Sequence, residues 1–506
     1  MTNRYIVIGA GIGGLATASL LAKAGHEVHV YEKAVTAGGR AGKLAKDGFT
    51  FDTGPSWYLM PDVFEHFYEL MDEPIEKWLD LHKLTPAYKV FYESQDAIVV
   101  TGQLERDKQT FEAVEQGGGD ALERYVARSK EIYELSLKHF LYTNFEDVRD
   151  LANTAVLRKS TMLPSLLLKP IHQYVSSYVR DMRLKQILEY PMVFLGTSPF
   201  SAPAMYSLMS ALDFDEGVYY PMGGMYTIIE SIETIARNHG VVFHYEGEVD
   251  KIRTHNGKAA GITLADGTQV DADVVVSNSD LHHTETQLLD GADRTYDEKY
   301  WQGKEPGPSA LLLYLGIDGK VPELEHHNLL FVEAWKENFE AIYRDKQMPR
   351  PASIYVAKTS HSDPSVAPAG KENVFVLVPL PAGVEVDADE LDTLADGYLQ
   401  QIEEMTGASL RDRLLVKELF GPNDFLTQYY SWQSSMLGQS HLLKQSAFFR
   451  TPNKSKKLSN LYYVGGSTTP GIGLPMCLIG AELVYKRIIG ETRGGRIARI
   501  VPGEAL

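Results

Sequence analysis

Residues 4–33 read RYIVIGAGIGGLATASLLAKAGHEVHVYEK, and this stretch constrains the fold more than any other part of the chain. An apolar run typical of a β-strand leads into Gly9, Gly11 and Gly14, and a helical pattern rich in small residues follows. A second strand pattern then ends at Glu32. This order of strand, G-x-G-x-x-G turn, helix, strand and acid predicts a βαβ unit that binds a dinucleotide.

The residues of this unit have separate predicted roles. Gly9 permits the tight turn, Gly11 lets the backbone approach a pyrophosphate, and Gly14 lets the helix pack closely against the sheet. The Glu32 carboxylate can accept hydrogen bonds from the ribose hydroxyls, which favours FAD or NAD over NADP. The same predicted cofactor site includes the flanking residues Gly13 and Lys33.

The following stretch, EKAVTAGGRAGKLAKDGFTFDTGPSWY (32–58), decides between FAD and NAD. An NAD-binding domain normally continues through a helix into a third strand, whereas a second glycine turn and then another tight turn appear here. A loop rich in backbone donors fits a longer cofactor with a tricyclic ring, so the sequence predicts FAD. The predicted cofactor contacts in this stretch are Gly39, Arg40, Asp52, Thr53, Gly54 and Pro55.

Charge and cysteine content restrict the other function classes. The chain of 506 residues has a formal net charge of −18, which argues against a nucleic-acid partner. The single cysteine, Cys477, excludes an internal disulfide, and no spacing of metal-site quality is seen. Because no signal peptide and no apolar run of about 18 residues is recognised, we expect a cytoplasmic protein without a spanning helix. Residues 493–506 are expected to form a loose tail.

Several further segments carry a resemblance to one superfamily. They include GPSWYLMPDVFEHFY (54–68), ADVVVSNSDLHHTE (272–285) and STTPGIGLP (467–475). With the glycine-rich start, they resemble the flavin-dependent amine oxidase and carotenoid desaturase superfamily, and most closely its bacterial phytoene desaturases. The tail departs from the usual pattern of that family, because Thr469 stands where His is frequent and Gly466 where Ala is frequent.

The resemblance implies an α/β fold in which separated segments build one Rossmann-like FAD-binding domain. These segments are residues 1–85, 221–285 and 456–495. Residues 86–220 form a helical, membrane-contacting insertion, and residues 286–455, with strands at SALLLYLGI and ENVFVLVPL, form a mixed α+β substrate domain.

The resemblance also implies how the later segments meet the cofactor. Val249 lies where a strand passes the adenine. The glycine-rich turn Gly465–Pro475, called the tail turn below, lies beneath the flavin ring. A helix from Met476 directs its positive N-terminal end at the ring. The predicted contacts in the tail are Gly465, Gly466, Gly473, Leu474 and Pro475.

The activity implied is removal of hydrogens from saturated C–C bonds of phytoene, toward lycopene. A hydride goes to the flavin, a proton leaves, and the electrons pass on to oxygen or a quinone. Asp150 is the candidate for a carboxylate that assists. The aromatic and methionine-bearing stretch 190–214 is the candidate lining for a hydrophobic polyene substrate.

Because such a substrate resides in a bilayer, the resemblance implies peripheral association with a membrane surface. Residues 157–175 are the candidate contact, since Arg158, Lys159 and Lys169 flank an apolar stretch broken by prolines.

Three alternatives share parts of the pattern. A carotenoid oxidase or ketolase shares the FAD motifs, and an amine or porphyrinogen oxidase shares the N-terminal part but not the STTPGIGLP tail. A prenyl-lipid escort protein of the same fold without flavin would have a degraded cofactor site, whereas the glycines, Glu32 and Arg40 are all present.

Overall fold

The computed structural model describes residues 2–145 and 163–503, and its first sheet is built from chain segments far apart in sequence. Five parallel strands pair edge to edge in this sheet. The N-terminal strand lies in the middle, so its carboxyl end and the glycine turn after it come between the strands Val274–Ser277 and Glu27–Tyr31. In order across the sheet, the strands are Leu461–Tyr463, Val274–Ser277, Arg4–Ile8, Glu27–Tyr31 and Val242–His244.

The helix Ile12–Lys23 follows the first strand and is buried from Ile12 to Ala22. Its small side chains allow this close packing, as the sequence predicts. It contacts the helices Tyr226–Asn238 and Leu474–Ile488, which cover the same sheet.

An antiparallel meander follows the helix Tyr226–Asn238 and consists of Val249–His255, Lys258–Leu264 and Gln269–Asp271. Asn256 and Gly257 join the first two strands with φ angles of 49° and 71°, the left-handed region that Asn and Gly tolerate best.

The second sheet has seven strands and lies across the cavity from the first. The predicted strands Ser309–Ile317 and Glu372–Leu380 are antiparallel neighbours in it. Leu311 and Leu313 join one core with the helix Ala388–Thr406, while the alternate residue Leu312 faces the cavity. The strand order is Leu414–Phe420, Ser309–Ile317, Glu372–Leu380, Ile354–Ala357, His327–Phe331, Tyr88–Tyr92 and Ile98–Val100.

The helical assignment of residues 86–220 needs a correction at its start, and its last residues belong to the short strand Tyr219–Pro221. Tyr88–Tyr92 and Ile98–Val100 are strands of the second sheet, because Tyr88–Tyr92 pairs in parallel with the distant strand His327–Phe331. Such a partner cannot be recognised from the local pattern alone. Further on, the insertion is helical, with Leu104–Val114, Gly118–Ser136, the π-helical turn Leu137–Leu141, Leu163–Leu168, Ile171–Val175, Met182–Glu189 and Leu208–Ala211.

Shorter elements complete the fold. Among residues 2–145 and 163–503, no helix combines the length and apolar character needed to cross a bilayer. The remaining helices of at least five residues are Pro61–Leu70, Glu298–Gln302, Trp335–Glu340 and Pro422–Tyr429, with the 3-10 helix Tyr190–Leu195 and the π-helical turns Leu212–Glu216, Thr284–Leu288 and Ala341–Asp345. Short strands pair as Lys43–Lys46 with Phe49–Asp52 and as Leu81–Lys83 with Tyr219–Pro221.

The C-terminal segment is docked on the protein rather than loose as far as residue 503. Arg496 forms a 2.6 Å ion pair with Asp62. The buried Lys486 donates to the carbonyl of Gly495 at 2.9 Å, and Glu482 accepts from the amide of Ile497 at 2.7 Å. The prediction of a loose tail was wrong because the polar, glycine-rich composition of this segment gives no sign of its distant buried partners.

Candidate functional site

One continuous cavity brings the two glycine turns at opposite ends of the chain together. Asn278, at the end of the strand Val274–Ser277, lies between them and donates its Nδ2 to the carbonyl of Val464 at 2.9 Å. A Cβ on Gly11 would lie 2.7 Å from the Oδ1 of Asn278, so any larger residue there would displace that side chain. Of the predicted cofactor residues, those that line the cavity are Gly9, Gly11, Gly13, Glu32, Lys33, Gly39, Arg40, Thr53, Gly54, Pro55, Val249, Gly465, Gly466, Gly473, Leu474 and Pro475.

Two predicted cofactor residues, Gly14 and Asp52, are not part of the cavity lining. A Cβ on Gly14 would lie 2.2 Å from the carbonyl oxygen of Gly9, so this position serves the close approach of helix and turn. The Asp52 carboxylate accepts from the backbone amides of Met225 and Tyr226 at 2.9 and 3.0 Å. Asp52 therefore caps the helix Tyr226–Asn238, and burial raises its pKa to about 6.

The Glu32 carboxylate is fixed at the end of its strand by two backbone amides. Oε2 accepts from the amide of Ala10 at 2.7 Å, and Oε1 accepts from that of Ala34 at 2.9 Å. Each carboxylate oxygen keeps a further lone pair, which is what a ribose hydroxyl pair requires. The Lys33 ammonium lies over the ring of Tyr430, 3.5 Å from the ring centre.

Arg40 and Thr53 present buried polar atoms that lack a partner among the described residues. Arg40 donates from Nη2 to the Ser431 hydroxyl at 2.6 Å and lies 3.7 Å from the Asp280 carboxylate, while its Nε is unpaired. The hydroxyl of Thr53 is unpaired as well. Because buried donors rarely lack an acceptor, these atoms fit a bound ligand rich in acceptors, such as the phosphates and ring of a flavin dinucleotide.

Two helices begin at the cavity with free N-terminal amides. The helices Ile12–Lys23 and Leu474–Ile488 have no side-chain cap and no acidic residue in the first turn. The second helix starts two residues earlier than the predicted Met476, with Pro475 in its first turn. Such ends favour negative charge in a ligand.

The tail turn is held from behind by a segment in which the sequence reveals no site. His441 lies against Gly471, accepts from the amide of Ile472 at 3.1 Å, and contacts the hydroxyl of Tyr206 at 2.8 Å through Nδ1. Burial holds the pKa of His441 well below its usual range. Because Nε2 of this neutral ring accepts the hydrogen bond from Ile472, Nδ1 carries the proton and donates to Tyr206, whose hydroxyl then donates to that of Ser446 at 2.7 Å.

The other half of the cavity is apolar and aromatic. Trp57 stacks on His327 with ring centres 4.4 Å apart. Tyr190 lines the wall and donates to the buried Asp213 carboxyl at 2.5 Å. The lining includes Tyr190, Val193, Phe194, Leu195, Met205, Tyr206, Leu208, Met209 and Leu212 from the predicted stretch 190–214, and Leu312, Leu329, Phe331 and Leu377 from the second sheet.

Three further residues named from the sequence, Asp150, Arg158 and Lys159, lie outside the described residues. Residues that sequence reasoning missed are Asn278, Asp280, Ser431 and His441. A signal exists for the first two only, because both lie in the segment ADVVVSNSDLHHTE that carries part of the resemblance.

The model of the flavin-containing amine oxidoreductase family matches residues 12–484. The chain belongs to this family. Its cofactor is FAD, in agreement with the dinucleotide turn and the unpaired donors of Arg40 and Thr53.

Similar proteins extend over almost the full chain. A carotenoid 3,4-desaturase of Haloarcula japonica is 38% identical over 96% of this chain and 98% of its own. A zeta-carotene-forming phytoene desaturase of Myxococcus xanthus is 34% identical over 96% of this chain and 94% of its own. A putrescine oxidase structure covers 97% of this chain and 99% of its own with a TM-score of 0.61. Its 14% identity establishes a shared fold only.

Proposed function

We propose that this protein is an FAD-dependent carotenoid desaturase that removes hydrogens from saturated C–C bonds of phytoene, toward lycopene. The observation that carries the proposal is the single cavity, which joins dinucleotide-binding turns to an apolar, aromatic half. The names of the Haloarcula and Myxococcus relatives support the same reaction class.

Each element of the cofactor half would hold a different part of FAD. The turn Gly9–Gly13 and the start of the helix Ile12–Lys23 would hold the pyrophosphate, and Glu32 the ribose. Val249 would lie beside the adenine, and the tail turn beneath the flavin ring. When bound, FAD supplies a two-electron acceptor.

The apolar half would bind the polyene by burial, at about 25 cal/mol per Å² before the costs of binding. Charged side chains of the cavity lining belong to its dinucleotide end, where Glu32, Lys33, Arg40, Glu248 and Asp280 lie. The apolar wall excludes water and aligns a saturated C–C bond for oxidation. Asp150 remains our prediction for a group that takes the released proton.

The test is expression in a phytoene-accumulating host, followed by chromatography of the pigments. We expect longer conjugated products, and the purified yellow protein should desaturate phytoene in liposomes. A Gly11→Val variant, blocked at the FAD turn, is the inactive control. A holoprotein that leaves phytoene unchanged but desaturates lycopene would reject phytoene as the substrate, and one that leaves both unchanged would reject the proposal. Oxygen uptake, compared with quinone reduction under argon, identifies the electron acceptor.

We also propose peripheral contact with a membrane surface near residue 168. Leu168 has 73% of its surface exposed and precedes Lys169, so an apolar side chain and a cation are adjacent there. An interfacial element has this composition. A cytoplasmic location remains part of this proposal.

Leu168→Glu is expected to weaken binding to anionic vesicles about tenfold, because about 1.5 kcal/mol of apolar burial is lost. Vesicle co-sedimentation measures the effect. Leu415→Glu is the matched control, since Leu415 is also exposed, at 47%, but lies on the second sheet. Equal affinity of the Leu168→Glu and wild-type proteins would place the contact elsewhere.

A further inference from the structure

Arg450 is a buried cation directly behind the tail turn. Its side chain is 2% exposed, and it follows the short helical turn Ala447–Phe449. The guanidinium donates to backbone carbonyls only: Nε to Thr468 at 3.0 Å, Nη1 to Gln445 at 3.0 Å, and Nη2 to Gln439 at 3.0 Å and to Gly466. Gly466 and Thr468 themselves line the cavity.

No carboxylate within the described ranges, 2–145 and 163–503, forms an ion pair with Arg450. The titratable side chains near its charge include Tyr206, Tyr300, Cys477 and His441, and none of these is a carboxylate. Burial lowers the pKa of Arg450 to about 10, so the group remains charged at neutral pH. A buried charge normally has an opposite charge beside it.

The charge of Arg450 acts on the cavity through a single layer of the tail turn. Burial raises the pKa of the cavity-lining Cys477 thiol to about 11, and the charges of Arg40 and Arg450 oppose that rise. Arg40 is partly balanced by Asp280 at 3.7 Å, whereas Arg450 has no such partner. The neutral His441 beside it adds no charge.

We propose that the negative charge which complements Arg450 is that of the reduced flavin, so that Arg450 raises the reduction potential of the bound FAD. The oxidised isoalloxazine ring is neutral, and addition of two electrons and one proton leaves it with one negative charge. A fixed cation in a water-excluded wall stabilises that charge without reorganisation. Arg450 is thus a positioning and electrostatic residue, and its role depends on the flavin and not on the identity of the substrate.

The test measures the flavin directly in the purified holoprotein. Sulfite adds to oxidised flavin to give an anionic adduct, so its dissociation constant reports the same electrostatic effect as the midpoint potential. Arg450→Gln is expected to weaken sulfite binding about tenfold, which corresponds to about 30 mV in a two-electron potential. Arg450→Lys keeps the charge but cannot reach all four carbonyls, and it should stay within about threefold of the wild type.

Lys486→Gln is the matched control, because Lys486 is also a buried cation that donates to backbone carbonyls. It lies twelve residues beyond Leu474 on the same helix, about 18 Å away by helix rise. This variant should leave the sulfite constant unchanged.

Two results with the variants would overturn the proposal. One is an Arg450→Gln protein with wild-type sulfite affinity and potential. The other is an equal loss in the Gln and Lys variants, which would make Arg450 a structural brace of the turn. If Arg450→Gln does not fold or bind FAD, the ionisation state of the reduced flavin in the wild-type protein tests the proposal instead. A reduced flavin that is anionic at a pH where free reduced FAD is neutral supports the proposal, and a neutral reduced flavin there refutes it.

Discussion

Glu32→Ala is expected to weaken FAD binding about 100-fold while the fold persists. The variant removes an ionised acceptor for two ribose hydroxyls, and a hydrogen bond to a charged group contributes about 1.5–3 kcal/mol. A loss of about 3 kcal/mol corresponds to about two orders of magnitude in affinity. Quenching of flavin fluorescence on titration of the apoprotein gives the dissociation constant.

Two controls separate the charge of Glu32 from its shape and from general destabilisation. Glu32→Gln keeps an oxygen that can accept from the Ala10 amide, so its loss should be about tenfold. Glu27→Ala removes an exposed acid at the other end of the same strand and should leave FAD affinity unchanged. An unchanged dissociation constant in Glu32→Ala, with an unchanged melting temperature, would exclude Glu32 as the ribose acceptor.

Local sequence patterns predicted the features that local chemistry determines. The G-x-G-x-x-G turn, the small-residue helix after it and the Asn256-Gly257 hairpin depend on backbone geometry within a few residues. The strands Ser309–Ile317 and Glu372–Leu380 are continuous apolar runs, typical of a buried sheet.

Long-range contacts are what the sequence left undetermined. Asp52 looked like part of a cofactor turn, but its partners Met225 and Tyr226 are 173 and 174 residues away. Likewise, His441 and Arg450 reach the tail turn from a segment that has neither a glycine pattern nor an acid. The position of such residues depends on which loops pack together in the folded chain. No local pattern in a single sequence indicates those contacts.

The resemblance filled part of that gap, because it placed both ends of the chain at one cofactor. The structure adds that Asn278 lies between the two glycine turns and contacts both. It also shows that the charge behind the second turn is the guanidinium of Arg450. The two ends of the site thus differ physically. Glu32 fixes the nucleotide by direct hydrogen bonds, whereas Arg450 acts through the backbone of the turn.

Asp213→Asn is expected to make the free energy of unfolding of the protein less sensitive to rising pH. Asp213 is 2% exposed, accepts from Tyr190 at 2.5 Å, and has a pKa raised by burial to about 7 from an ordinary value of 3.8. The folded state therefore binds more protons than the unfolded state between these values, so stability falls as pH rises from about 4 to 7. Over that range the loss is about 4 kcal/mol.

The asparagine variant keeps an oxygen that can accept from Tyr190 but has no proton to lose. Relative to the wild type, its free energy of unfolding should therefore increase by about 2–3 kcal/mol between pH 5 and pH 8. Asp52, whose pKa is also raised, to about 6, is present in both proteins and cancels in the difference. Urea unfolding at the two pH values, followed by tryptophan fluorescence, measures the change.

Asp412→Asn is the control, because Asp412 is exposed on the surface and should give the wild-type pH dependence when replaced. Equal pH dependence of the Asp213→Asn and wild-type proteins would mean that Asp213 is ionised in the fold at pH 5. The cavity wall behind Tyr190 would then carry a negative charge close to the polyene-binding half. In that case a cation formed in the substrate would be stabilised by Asp213, and Asp213→Asn would slow desaturation without changing the pH dependence of stability.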